Sequence, residues 1–270
     1  PEEQASAIVA EAIERGIDRF DTAAGYGSAE TVLGRALERS HAPDSKIVTK
    51  ILPLDDGPRD AAAVDTVIDR IRESCDRLGI QSLDALLVHR ASDLLGDDGE
   101  WLWGVLQKVR AEGLVRRIGV SVYEAEEIDG VCARFQPDMV QLPLSIADQR
   151  LIQSGHLSKL AGKGIDIVAR SVFLQGVLLN RLQDVDPIFS QAAEEMAALD
   201  DMAADLGVDR LDLCLAFVSQ LPEVTHVLVG VNTVEQFRAL ADAAGRNVTL
   251  PPVASERCAW RAHALLNPSN

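Results

Sequence analysis

The sequence predicts an α/β protein built on a parallel sheet with both faces covered. Three observations carry this. Seven short β-rich runs are spaced evenly through the 270 residues. Between most of them lie stretches with apolar residues at three- and four-residue intervals, the spacing of one helical face. Glycine stands at several helix-to-strand junctions, as in "ERGIDRF", "RLGIQSL" and "GKGIDIV", where it ends a helix before the next run begins.

Taken in order, "PEEQASAIVAEAIERG" predicts an acidic amphipathic helix at the start, and "IDRFD" (17–21) the first strand. "KIVTKI" (46–51) and "LDALLVH" (83–89) predict the next two. The helix between them, "AAAVDTVIDRIRESCDRLG", carries Val64, Val67, Ile68, Ile71, Cys75 and Leu78 on one stripe. "RRIGVSV" (116–122), "MVQLPLS" (139–145), "IDIVARS" (165–171) and "HVLVGV" (226–231) complete the set of strands. Strands alternating with helices imply a parallel sheet. With no Pro/Gly/Ser-rich linker, residues 1–270 are expected to form one (β/α)8 barrel of the TIM type rather than two domains. The eighth strand is expected to precede Pro1, because the chain opens in a helix. A doubly wound open sheet is the alternative, but no G-x-G-x-x-G opens a helix after a strand.

A formal charge of −16 argues against nucleic acid or an anionic membrane as the main partner. Cys75, Cys132, Cys214 and Cys258 show no C-x-x-C spacing and read as separate thiols of a reducing, cytoplasmic compartment. The five histidines lack metal-ligand spacing, so no metal is expected. "AAEEMAALDDMAADLG" and the histidine and lysines of "SGHLSKLAGKG" read as solvated helix. Trp101 and Trp103 suit either a substrate pocket or packing at a helix start.

In a parallel barrel, chemistry gathers at the C-terminal ends of the strands. Asp21 ends the first run, Lys50 nearly ends the second and His89 ends the third, while Tyr26 lies on the loop leaving the first. Taken singly, a strand-end aspartate is a turn residue, a lysine is surface and a histidine is structural. Their coincidence at three successive strand ends favours a shared site. A phenol with an ordinary pKa of about 10 is a poor acid at neutral pH. A neighbouring Lys50 ammonium favours the tyrosinate, Asp21 holds that ammonium, and His89 hydrogen-bonds a carbonyl or relays a proton. Such a set delivers a proton to a carbonyl oxygen that is becoming an alkoxide.

The stretch "GIDRFDTAAGYGSAETVLGRAL" resembles the signature of the aldo-keto reductase family, with an aspartate, a tyrosine, a glutamate and a Leu-Gly pair at matching spacings. "IVTK", "LDALLVHR", "GLVRRIGVSVY", "VQLPLSIADQR", "ARSVFLQGVLL" and "VLVGVNTVEQFRAL" are similar to the family's later segments, so the likeness spans essentially the whole chain and suggests a bacterial member. It implies an (α/β)8 barrel enzyme that reduces an aldehyde or ketone with NADPH, NADH being the alternative. Asp21, Tyr26, Lys50 and His89 would form the catalytic tetrad, Tyr26 being the general acid. Ser121 and Gln141 would hold the nicotinamide carboxamide. Arg170 stands where many members stack an aromatic ring. Ser171, Phe173, Leu174, Gln175 and Gly176 would wrap the pyrophosphate through backbone N–H groups, and Gly230, Asn232 and Gln236 would face the adenosine end. Val122 replaces a common asparagine. Asn232 and Gln236 stand where a basic residue commonly holds the 2′-phosphate, which puts the preference for NADPH in doubt, with Arg238 nearby in sequence.

Three readings of function follow. The first is carbonyl reduction of a small, sugar-like molecule in a monomer or homodimer. The second is a Schiff-base aldolase using Lys50. The third is a regulatory subunit that senses the cofactor with little turnover.

Overall fold

A computed structural model describes residues 2–53, 57–251 and 255–266. Among the described residues, seven strands, β1 to β7, are parallel neighbours in chain order. The chain forms two compact units, one comprising Pro1–Val122, Glu126–Val140 and Val231–Phe237, the other Tyr123–Ala125, Gln141–Gly230 and Arg238–Asn270.

The first unit runs α1 (Glu2–Glu14), β1 (Arg19–Asp21), α2 (Ala29–Arg39), β2 (Lys46–Ile51), α3 (Ala61–Leu78), β3 (Leu83–Val88), α4 (Ser92–Leu95), α5 (Gly99–Ala111), β4 (Val115–Ser121) and α6 (Ala125–Arg134). β5 (Met139–Pro143) begins here. β2, β3 and the C-terminal half of β4 are buried on both faces, as parallel strands covered by helices must be, while β1 is half-buried. α3 shows how local chemistry sets an element. Asp60 caps it by accepting from the Ala63 N–H at 3.0 Å, and Gly79 ends it in the left-handed region. Val67, Ile68, Ile71, Cys75 and Leu78 are buried, while Val64 is half-buried. Gly16 and Gly164 also take left-handed φ at the ends of their helices. β1 starts two residues later than the sequence suggested, because the Ile17 N–H closes α1 on the Ala12 carbonyl at 2.9 Å.

Asp84 of β3 collects three guanidiniums. It pairs with Arg19 of β1, with Arg116 Nε at 2.8 Å and with Arg117 Nη2 at 2.5 Å, which ties three strands together. Burial alone would raise the Asp84 pKa, but hydrogen bonds from Arg116, Arg117 and Arg19 overcome it and lower the value to about 2. A carboxylate depressed on folding contributes stability above its unfolded pKa of about 3.9, and that contribution is lost as pH falls through the folded value. The difference in unfolding free energy between the chain and Asp84→Asn should therefore shrink between about pH 4 and pH 2. Urea unfolding across that range checks it, and a constant difference would remove Asp84 from the acid limb.

The second unit runs from the remainder of β5 through α7 (Arg150–Gln153), α8 (His156–Gly162), β6 (Asp166–Arg170), α9 (Ala193–Leu206), α10 (Arg210–Ser219) and β7 (His226–Val227), and it takes in most of α11 (Val234–Ala244). β7 is shorter than expected. It pairs with β6 through Val168↔His226 and Ala169↔Val227, and the Leu228 N–H reaches the Ala169 carbonyl at 2.7 Å before the ladder ends. As the last strand of the order it has a single strand neighbour among the described residues.

Two polar stretches read as solvated are not wholly so. His156 is buried, with Nδ1 2.8 Å from Ser154 Oγ, although Lys159 and Lys163 are exposed. On α9, Glu195 is buried against Arg261 Nε at 2.8 Å, a partner more than sixty residues away that no local pattern reveals. Burial raises the Cys75 and Cys258 thiols to about 11 and that of Cys214 to about 12, which leaves them inert. Among the described residues, no helix is long and apolar enough to cross a membrane.

Candidate active site

The first unit brings the four expected residues together at the C-terminal ends of its strands. Asp21 is the last residue of β1, Lys50 the penultimate residue of β2, and His89 follows β3 directly. The Lys50 side chain is only 2% exposed and forms an ion pair with Asp21. It donates a second hydrogen bond to the Thr22 carbonyl at 3.0 Å. Its ammonium lies 5.5 Å from the centre of the Tyr26 ring. The His89 ring stands edge-on to Tyr26, with centroids 5.8 Å apart and planes at 79°.

Tyr26 itself is 53% exposed, so it is presented to solvent while its charged partner is sequestered below. The loop that carries it is pinned along its length. The Thr22 N–H bonds the Val48 carbonyl at 2.9 Å and the Ala24 N–H that of Lys50 at 3.3 Å, both on β2. The Tyr26 N–H then closes a turn on Ala23, and Gly27 takes a left-handed φ of 58°. The motif's glutamate, Glu30, is also part of this frame.

The residues expected to hold a cofactor fall in both units. In the first, Ser121 ends β4 and is buried. Val122 is fully buried, and its side chain has no hydrogen bond to give a carboxamide. Asn232 and Gln236 are together, but they serve the backbone. The Asn232 N–H donates to Gln236 Oε1 at 2.8 Å, and the Gln236 N–H donates to Thr233 Oγ1 at 3.1 Å. That is a capping arrangement for α11, so the carbonyl end of Gln236 is already engaged.

In the second unit Gln141 is buried on β5, and Arg170 ends β6. The Arg170 guanidinium lies 4.1 Å over the Tyr123 ring, a partner that sequence reasoning missed; only its place just after a strand could have signalled it. Arg150 clamps two carboxylates, reaching both oxygens of Glu124 at 2.8–2.9 Å and both of Asp148 at 2.9 Å. Ser171, Leu174 and Gln175 all adopt left-handed φ without being glycine, which costs of order 1–3 kcal/mol each. Two backbone N–H groups of this turn are engaged within it. The Leu174 N–H bonds the Ser171 carbonyl and the Gly176 N–H that of Phe173, each at 2.8 Å. A Cβ added at Gly176 or Gly230 would meet nothing within 4 Å, which leaves open space beside the backbone at both.

A parallel α/β sheet with an Asp–Tyr–Lys–His cluster at its strand ends defines a narrow class of protein. The sequence profile of the Aldo/keto reductase family matches residues 1–254, and the chain belongs to that family. It is 33% identical over 165 residues to an aldo-keto reductase of Mycobacterium sp. (strain MCS), an alignment covering 57% of this chain and 55% of the relative. The chain thus spans about half the length of the first curated relatives it matches. It is 28% identical over 246 residues to a 6-dehydroglucose reductase of Agrobacterium fabrum, covering 86% of this chain and 79% of that protein. An aldo-keto reductase from Bacillus halodurans in its holo form superposes with a TM-score of 0.77 at 20% identity, over 97% of this chain and 91% of the other. The fold is thus of the (β/α)8-barrel class.

Proposed function

We propose that the chain reduces an aldehyde or ketone, sugar-like in character, to an alcohol with NADPH or NADH. The observation that carries this reading is the buried Lys50–Asp21 pair beneath an exposed Tyr26, with His89 against the ring. When bound, a dihydronicotinamide supplies the hydride. Ser121, Gln141 and Arg170, the turn from Ser171 to Gly176, and Gly230, Asn232 and Gln236 are the residues we assign to holding it.

The chain's own groups handle the proton. The Tyr26 hydroxyl gives its proton to the carbonyl oxygen, and the nearby ammonium stabilises the tyrosinate left behind. Asp21 and the Thr22 carbonyl keep Lys50 in place through the cycle. His89 orients the carbonyl beside the phenol. The sugar-like assignment draws support from the 6-dehydroglucose reductase among the relatives. The relaxed choice between the two nucleotides follows from two amides standing where a cation would grip a 2′-phosphate. We place the protein in the cytoplasm, where the buried Cys75, Cys214 and Cys258 remain thiols.

The Schiff-base reading is weakened by the same pair. An ammonium held by a carboxylate and a carbonyl has no lone pair for a substrate carbon. Loss of nicotinamide absorbance with a panel of aldoses, keto sugars and simple aldehydes tests the proposal. Turnover of at least one carbonyl supports it. Nucleotide binding without any turnover favours a sensing subunit instead, and borohydride trapping on Lys50 favours the aldolase.

A further inference from the structure

Glu30 is 1% exposed, and both of its carboxylate oxygens are engaged by other elements of the first unit. Oε1 accepts from Thr49 Oγ1 at 2.7 Å, and Oε2 accepts from Arg77 Nε at 2.8 Å. Arg77 is itself held by Ser74 Oγ at 2.9 Å. Thr49 is the residue before Lys50 on β2, and Glu30 lies in the first turn of α2, four residues after Tyr26. The carboxylate therefore joins the end of the tyrosine loop to the strand that carries the lysine, with α3 as a third anchor.

The docking is tight one turn further along. A Cβ at Gly34 would come within 2.6 Å of the Arg77 carbonyl and 2.7 Å of Leu78 backbone atoms, so α2 lies directly on the end of α3. Ser28 makes no side-chain cap at the start of α2, where the Ala29 N–H bonds the Tyr26 carbonyl at 3.1 Å. Burying a carboxylate is costly unless its partners are charged and well placed. A salt bridge alone is weak evidence of a role, but this one spans the two elements whose separation sets the distance from the phenol to the ammonium.

We infer that Glu30, through Thr49 and Arg77, is a positioning residue that holds the Tyr26 loop over Lys50 and so sets the acidity of the phenol. The inference rests on the reductase reading for its meaning but not for its test. The chain has two tyrosines, so the alkaline tyrosinate absorbance, minus that of the matching Tyr26→Phe variant, reports Tyr26 alone. The sign discriminates. Losing a nearby negative charge would by itself lower the phenol pKa, whereas losing the hold on the loop moves the phenol away from the ammonium and raises it.

Folded Glu30→Gln is expected to titrate at Tyr26 upward by roughly 0.5–1 unit. Its kcat should fall about 10- to 100-fold, as small misplacements of a catalytic group do, with the nucleotide Kd within about twofold. Arg77→Lys, which keeps a cation for Oε2, should stay nearer the parent midpoint than Arg77→Met. If Glu30→Gln does not fold, Thr49→Val removes one bond and is read in the same way. An unchanged or lowered Tyr26 midpoint overturns the inference. A parent chain that reduces no carbonyl fails the reductase reading alone, since the midpoint still decides the role of Glu30.

Discussion

Tyr26→Phe should lower turnover by roughly 10²–10⁴-fold, the contribution of a positioned general acid. Only the hydroxyl is lost, and the ring, which carries the contacts to His89 and Lys50, is kept. The side chain is half in solvent, so unfolding free energy should stay within about ±0.5 kcal/mol. Nucleotide affinity should be unchanged within about twofold, because the proposed cofactor residues do not include the phenol. Steady-state kinetics and a fluorescence titration on the same preparation check this. Full turnover would remove Tyr26 from the role of acid.

Lys50→Met should cost both activity and stability. It takes from Asp21, whose side chain is 10% exposed, the cation it pairs with, and breaking a largely buried pair from one side typically costs about 3–5 kcal/mol. The double variant with Asp21→Asn also removes the carboxylate's charge and should recover much of the stability. It should recover none of the turnover, because the ammonium beside the phenol is still missing. Denaturant melts of the two single variants and the double variant, alongside kcat, separate the effects. A double variant regaining activity would show that Lys50 serves the fold rather than the chemistry.

The parts of this molecule that follow local rules were legible in the sequence. The seven strands and the stripe on α3 arise from hydrophobic periodicity, and the helix ends from glycine. The Asp–Tyr–Lys–His cluster was legible because a parallel sheet carries every strand end to one rim, so position in each run stood in for position in space. What escaped notice depends on partners distant in the chain. Asp84 looks like any acid on an alternating strand until Arg19, Arg116 and Arg117 converge on it. Glu195 and His156 carry no mark of burial in their own helices. Gln236 is expected at the adenosine end by likeness, and the bond its carbonyl accepts from the Asn232 N–H at the start of α11 carries no mark in the sequence. The turn at Ser171–Gly176 was recognised by likeness, but the strained φ at three non-glycine residues and the use of two N–H groups within the turn depend on dihedral angles that composition does not encode. Glu30 stood in plain view within the motif; its partners Thr49 and Arg77 did not.

The measurement that tests the account most directly is titration of the purified chain with NADPH and with NADH, followed by nicotinamide fluorescence and tryptophan quenching. The account expects saturable binding of both, with dissociation constants within about tenfold of each other, or about 1.4 kcal/mol, because Asn232 and Gln236 present no cation to a 2′-phosphate. Binding of neither nucleotide would contradict it: without a hydride donor the proton held at Tyr26 has no reduction to complete.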